Sequence, residues 1–163
     1  LAGGAGVLNT LYPRGVAGFG GPVTVLPAAI PKPGAPPMQD FEGHFFLVNL
    51  EKDEGRIAGD ATAAEGGLMA LWWKCPHLGC TLPWRQDFVS SHDLLARKGW
   101  FVCNCHASTY TKAGVRMAGP APRSMDTMQI EAGSNGAITV QTGKRVAGGP
   151  DNPQRAIPWP PQA

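Results

Sequence analysis

All four cysteines of the chain fall in two short runs, CPHLGC at 75–80 and CNCHAS at 103–108, and each run also carries one of the four histidines. Thiolates and neutral imidazoles at such close spacing are the donor groups of a metal site. Pro76 and Gly79 keep the first run out of helix and strand. Three chemistries compete for these residues. Two disulfides, in any of three connectivities, would consume the cysteines and leave the adjacent histidines without a role. A Cys2His2 zinc site would take two ligands from each run and leave two cysteines over. An iron–sulfur cluster that mixes thiolate and imidazole ligands gives both residue types a task.

In order and spacing the runs resemble the paired Cys-x-His-x-Gly-Cys and Cys-x-Cys-His-x-Ser boxes of the Rieske iron–sulfur proteins of cytochrome bc and b6f complexes. GPAP at 119–122 is similar to the proline loop that covers the cluster in that family. The resemblance spans roughly residues 68–140. It implies a Rieske-type 2Fe–2S cluster with Cys75 and Cys103 on one iron and His77 and His106 on the other, and a disulfide between Cys80 and Cys105 that ties the ligand loops together. It further implies hydroxyl donors at Ser108 and Tyr110 and a cover at Gly119 and Pro120. Leu78 then shields the cluster and forms part of an apolar docking tip. Departures from the family pattern are Pro76 where Thr is usual, Asn104 where Pro is usual and Ala107 where Gly is usual. The span between the boxes is also longer than the common pattern, through the charged stretch RQDFVSSHDLLARKG at 85–99.

Mixed ligation has an electrostatic consequence. Two ferric ions with two sulfides form a positive core, which two thiolates and two neutral imidazoles bring to neutrality, whereas four thiolates would make it a dianion. An electron enters a neutral site more readily, so Rieske centres reach about −150 to +300 mV. Hydroxyls aimed at sulfur raise the potential further by stabilising the added charge. Ser108 and Tyr110 therefore imply a high-potential centre suited to hydroquinone, with His106 meeting the quinol beside His77 and taking an electron together with a proton. The implied function is the electron-transfer subunit of a quinol-oxidising complex, accepting from hydroquinone and delivering to a c-type haem. Its partners are a cytochrome b subunit, a c-type cytochrome and a membrane reached through an N-terminal anchor. A disulfide places the head in an oxidising compartment, periplasmic, lumenal or intermembrane. The alternative of the same fold is the Rieske small subunit of a molybdenum oxidase such as arsenite oxidase. Ring-hydroxylating oxygenases and their ferredoxins usually lack the disulfide cysteines, so Cys80 and Cys105 speak against them.

The elements that must hold these loops are short strands. Runs at 44–50, 67–74, 99–103, 126–132 and 137–142 are rich in β-branched or aromatic residues and bounded by Gly, Asn or Asp. AGSNGA at 132–137 reads as a hairpin turn between the last two. The one helical signal is SSHDLLARK at 90–98, with Ser90 or Ser91 as cap and Asp93 and Arg97 as an i, i+4 pair. With 22 Gly and 16 Pro in 163 residues, long helices are not expected. The expected architecture is all-β: an antiparallel sandwich base over 41–142, into which a loop-rich cluster subdomain of about 75–122 is inserted. Residues 1–40 read as tether and hinge, with LAGGAGVLNTLYPR as the stub of a membrane anchor. Residues 143–163 read as a Pro-rich tail without strand pattern, Trp159 being its one hint of packing. A net charge of +2 without a basic run gives no ground for a nucleic-acid partner. His44 and His92 read as exposed, and Trp72 and Trp73 as core and sheet surface.

Overall fold

Strand β3 (Phe45–Leu50) is buried at all six positions and pairs antiparallel with the equally apolar β4 (Gly67–Trp72). Alternate side chains of a strand leave on opposite faces, so one pair of strands feeds two cores. Phe46, Val48, Leu50, Met69 and Leu71 enter the first, and Phe45, Leu47, Leu68 and Ala70 the second. A strand apolar on both faces carries no alternation, which is the signature of the centre of a covered sheet. The computed structural model, which describes residues 20–55 and 64–160, places this pair inside a six-stranded antiparallel sheet. Its remaining strands are β1 (Pro22–Val25), β2 (Met38–Asp40), β9 (Thr127–Ala132) and β10 (Ile138–Val146), in the order β1-β10-β9-β4-β3-β2.

Strands β4 and β9 are neighbours in this sheet but far apart in sequence, and the chain between them forms a second antiparallel sheet. Its strands are β5 (Trp84–Val89), β6 (Lys98–Val102), β7 (Thr109–Tyr110) and β8 (Arg116–Ala118), in chain order. Phe101 and Tyr110 of this sheet pack with Phe46 and Leu71 of the base, and the first core includes Cys75 and Cys103. Each large side chain fully buried here stabilises the fold by about 1.5–3 kcal/mol. Both cysteine-bearing loops are thus rooted in the core that joins the sheets.

All five strand runs expected from sequence are present, with β10 running further than expected, to Val146. The helix at 90–98 is not. Those residues form turns, in which the Asp93 carboxylate accepts bonds from the backbone amides of Leu95 and Arg97 and from the Arg97 guanidinium. The Asp93–Arg97 pair therefore exists, but it closes a loop. Side-chain acceptors compete with the helical ladder in this way, and Leu94 and Leu95, 88% and 62% exposed, find no surface on which to bury a helical face. The segment 22–40, expected as tether, is part of the base: β1 lies along β10, and Asn49 donates to the Pro31 carbonyl while accepting at its own carbonyl from Gly34. The anchor reading of residues 1–14 lies outside the described residues. The proline-rich tail is also anchored, since Ile157 exchanges both backbone bonds with Leu68 and Asn152 is wholly buried. Trp159 packs on the second core beside Ile157.

Candidate metal centre

The two cysteine runs fold into loops of the same design. In the first, the Cys75 amide donates to the Cys80 carbonyl and the Gly79 amide to the Cys75 carbonyl. In the second, the Cys103 amide donates to the Ser108 carbonyl and the Ala107 amide to the Cys103 carbonyl. Each loop turns through a left-handed residue at the fifth position, Gly79 at φ +78° and Ala107 at φ +58°. Glycine takes this conformation freely, whereas alanine places its Cβ against the following carbonyl. The resemblance had marked Ala107 as a substituted glycine, and the backbone shows why that position calls for one.

Cys80 and Cys105 are joined, with Cα atoms 6.7 Å apart, so the bridge ties the two loops to each other. Cys75 and Cys103 remain as free thiols, both buried. The sulfur of Cys103 lies within 4.8 Å of both bridged sulfurs. Those two are spent in the bond and cannot act as thiolate ligands. The rings of His77 and His106 sit 4.8 Å apart and nearly perpendicular. Nδ1 of His77 is buried and makes no hydrogen bond within the protein. A buried polar atom without a partner costs about 1–3 kcal/mol, so this nitrogen is open to a bound metal. Two thiols and two imidazoles at the convergence of two cross-linked loops match the donor set of a mixed-ligand cluster.

Around the thiols lie hydroxyls. The Tyr110 hydroxyl is 3.1 Å from the Cys75 sulfur in a wholly buried contact. Burial first, and the neighbouring Cys75 sulfur second, push the Tyr110 phenol well above its usual range, so it stays protonated and is the donor to a thiolate. Ser108 is also buried and its oxygen accepts the Ala121 amide, which leaves its own proton to be donated. The cover is held close: a Cβ on Gly119 would lie 2.4 Å from the Ser108 Cα, and Gly119 itself stands at φ +92°. Gly119 and Pro120 are exposed above this contact, and Leu78 is 71% exposed at the tip of the first loop, where His106 is exposed in the second. His92 is exposed as expected. His44 is half-buried and stacked 4.5 Å from Trp73, outside the site.

A family model described as the Rieske [2Fe-2S] domain matches residues 29–130, more than half of the chain. The chain belongs to the Rieske family. Its cofactor is accordingly a 2Fe–2S cluster of Rieske type. Among named relatives it is 33% identical over 85 residues to cytochrome b6-f complex iron-sulfur subunit 2 of the Cyanophora paradoxa cyanelle, covering 52% of this chain and 30% of the relative. It is 33% identical over 97 residues to the cytochrome b6-f complex iron-sulfur subunit of Prochlorococcus marinus strain MIT 9515, covering 60% and 42%. The menaquinol:cytochrome c reductase iron-sulfur subunit of Geobacillus thermodenitrificans is also 33% identical, over 93 residues, covering 56% and 51%. The chain thus spans a third to a half of the length of these relatives. Among solved structures, the soluble domain of the Rieske protein II (soxF) from Sulfolobus acidocaldarius is 26% identical, with a TM-score of 0.43, covering 64% of this chain and 65% of that one. Among the described residues no helix of the Rieske chain is long and apolar enough to cross a membrane.

Sequence reading did not find three exposed side-chain hydrogen bonds on the surface of these loops. Lys74 donates to Thr81 across the neck of the first loop at 2.7 Å, Arg85 of β5 to Asn104 inside the second at 2.6 Å, and Arg116 of β8 to the Gly119 carbonyl at 2.6 Å. All three are long-armed contacts across turns, which spacing does not encode.

Proposed function

We propose that this chain is the electron-carrying head of a quinol-oxidising complex of the bc or b6f type, taking an electron from hydroquinone and delivering it to a c-type haem. The observation that carries the reading is the placement of His106, an exposed imidazole on the tip that also exposes Leu78, over the buried thiols Cys75 and Cys103, the first of them in contact with the Tyr110 hydroxyl. Names of the relatives support it, since each is an iron-sulfur subunit of a cytochrome b6-f complex or a menaquinol:cytochrome c reductase. Cys75, His77, Cys103 and His106 are the ligands in this reading. When bound, the cluster supplies one-electron acceptance near neutral formal charge.

The residues do the rest. His106 presents its ring to solvent, where it receives the hydrogen bond and then the proton of a quinol hydroxyl. Leu78 excludes water from one side of that contact. Tyr110 holds its hydroxyl against the Cys75 sulfur, and the buried Ser108 hydroxyl beside it supplies a second donor, in a site where such bonds are stronger than in water. The disulfide keeps the loops together and supports an oxidising compartment for the head, which in this reading is part of a membrane complex with a cytochrome b subunit and a c-type cytochrome. The test is rapid mixing of the oxidised, cluster-loaded protein with a hydroquinone. Bleaching of the visible cluster absorption, followed by its return on adding a ferric c-type cytochrome, is expected. A protein that hydroquinone leaves oxidised contradicts the reading.

A further inference from the structure

No acidic residue occurs in residues 66–86 or 94–125, the two stretches that build the cluster loops and their cover, whereas seven Lys and Arg do. Four of the seven have carboxylate partners: Arg97 with Asp93, Lys98 with Asp87, Lys112 with Glu54 and Arg123 with Asp126. Lys74, Arg85 and Arg116 have none among the described residues. Each is instead hydrogen-bonded to a neutral oxygen: Thr81 Oγ1, Asn104 Oδ1 and the Gly119 carbonyl. These acceptors lie on three different turns: the neck of the first loop, the second loop between its cysteines, and the cover. The disulfide joins the first two turns and Gly119 presses on Ser108 of the second. The three cations therefore sit on the turns that the disulfide and the cover contact hold together, the same turns that expose Leu78 and His106; together they form the collar.

The geometry points to an electron acceptor whose docking face is acidic around its exposed redox centre, with Lys74, Arg85 and Arg116 as the residues that select it. This rests on the function proposed above. An apolar centre within a charged rim is the anatomy of a protein-docking patch, which favours a protein over an anionic lipid surface. Charges at an exposed rim act mainly on encounter rate, orientation and salt dependence, and contribute little to affinity. A transient carrier needs fast association and fast release, which such a rim supplies. Arg85 belongs to the stretch in which this chain is longer than the family pattern, and it reaches the Asn104 side chain, where proline, the usual residue, would offer no side-chain acceptor. The longer β5–β6 hairpin thus contributes one cation of the three.

The experiment uses the cluster-loaded protein, reduced beforehand with ascorbate, and two ferric probes: one acidic and one basic c-type cytochrome. One electron passes to the haem iron, and its reduction is followed over ionic strengths of about 0.01 to 0.3 M, a range in which the screening length falls from about 30 Å to below 10 Å. The rate with the acidic probe is expected to fall about tenfold or more across that range. In the Lys74→Gln, Arg85→Gln, Arg116→Gln triple variant that dependence should flatten, with iron content unchanged. The salt slope is the readout, because removing charge near the cluster also shifts its potential. The basic probe should show the opposite slope with the wild type. An acidic-probe rate that ignores salt, or a triple variant with the wild-type slope, overturns the assignment. So does binding to anionic vesicles that the triple variant loses while its acidic-probe slope is retained. If hydroquinone fails to reduce the protein in the preceding test, the functional reading falls and this inference falls with it. If hydroquinone reduces it and only the slopes disagree, the collar assignment alone is lost.

Discussion

At the scale of single residues, the Tyr110 hydroxyl lies against the Cys75 sulfur and the buried Ser108 hydroxyl has its proton free to donate. Under the proposed function both tune the centre through hydrogen bonds that gain strength when negative charge is added to the site. Tyr110→Phe and Ser108→Ala should each leave the cluster assembled and lower its midpoint. A bond worth about 1 kcal/mol more to the reduced form corresponds to roughly 40 mV, about a fivefold change in equilibrium constant for one electron. Voltammetry of the two variants checks this, and unchanged midpoints would show hydroxyls aimed elsewhere. Ala107 is a second case. Its left-handed backbone costs about 1–2 kcal/mol for a residue with a Cβ, part of which glycine returns as unfolded-chain entropy. Ala107→Gly should therefore stabilise the fold by about 0.5–1 kcal/mol, a rise in Tm of a few degrees for a chain of this size. A lower Tm would mean that the methyl group makes a contact worth more than the strain. The resemblance carried by the two boxes implied the Cys80–Cys105 pair, which the structure joins, whereas residue types and spacing alone left two disulfides, a zinc site and a cluster open. Neither revealed Arg85–Asn104 or Lys74–Thr81, because those contacts depend on where a neighbouring hairpin and a loop neck happen to lie.

Among elements, the β5–β6 hairpin is where sequence and structure part. The expected helix at 90–98 had a capping serine and a charge pair, but no apolar stripe with a surface to meet. In a short segment, tertiary burial outweighs propensity. Strand β5, WRQDFV, escaped notice because it is polar at three positions and only half-covered. The Asp93–Arg97 pair that closes the loop yields a pH prediction. The hydrogen bonds from Arg97 hold the Asp93 carboxyl below its usual pKa, against the opposing effect of burial. A depressed pKa adds stability above the unfolded value of about 3.9, and that stability is lost as pH falls through the lower, folded value. Asp93→Asn should accordingly cost about 1–3 kcal/mol at neutral pH and progressively less below about pH 4. Denaturant titrations of both proteins at several pH values measure the difference. A gap that stays constant down to acid pH would show that the charge contributes nothing.

Across the whole molecule, the inserted sheet is fixed to the base by a shared core and by the tail. Asn152 is the link: its side-chain amide donates to the carbonyls of Ala113 and Met125, within and just beyond the inserted sheet, while its oxygen accepts from Gly149. Asn152→Ala strands these buried backbone groups, so a loss of about 2–4 kcal/mol is expected in chemical denaturation. A change below about 0.5 kcal/mol would show that water or backbone movement satisfies them. Proline content had made this tail look structureless, since prolines cannot continue a ladder. What proline composition does not show is a single paired residue such as Ile157, or one buried amide such as Asn152. Under the proposed function Cys75, His77, Cys103 and His106, gathered by two sheets and one disulfide, would hold the 2Fe–2S cluster and poise it to take an electron from hydroquinone. Redox titration of the purified protein, followed by electron paramagnetic resonance, tests this assignment most directly. The account predicts a reduced-state signal with low average g and hyperfine coupling to two histidine nitrogens, appearing at a midpoint between about 0 and +300 mV. A signal without nitrogen coupling and with a midpoint near −400 mV, the level of all-cysteine plant-type clusters, would contradict it, as would one zinc per chain and no iron.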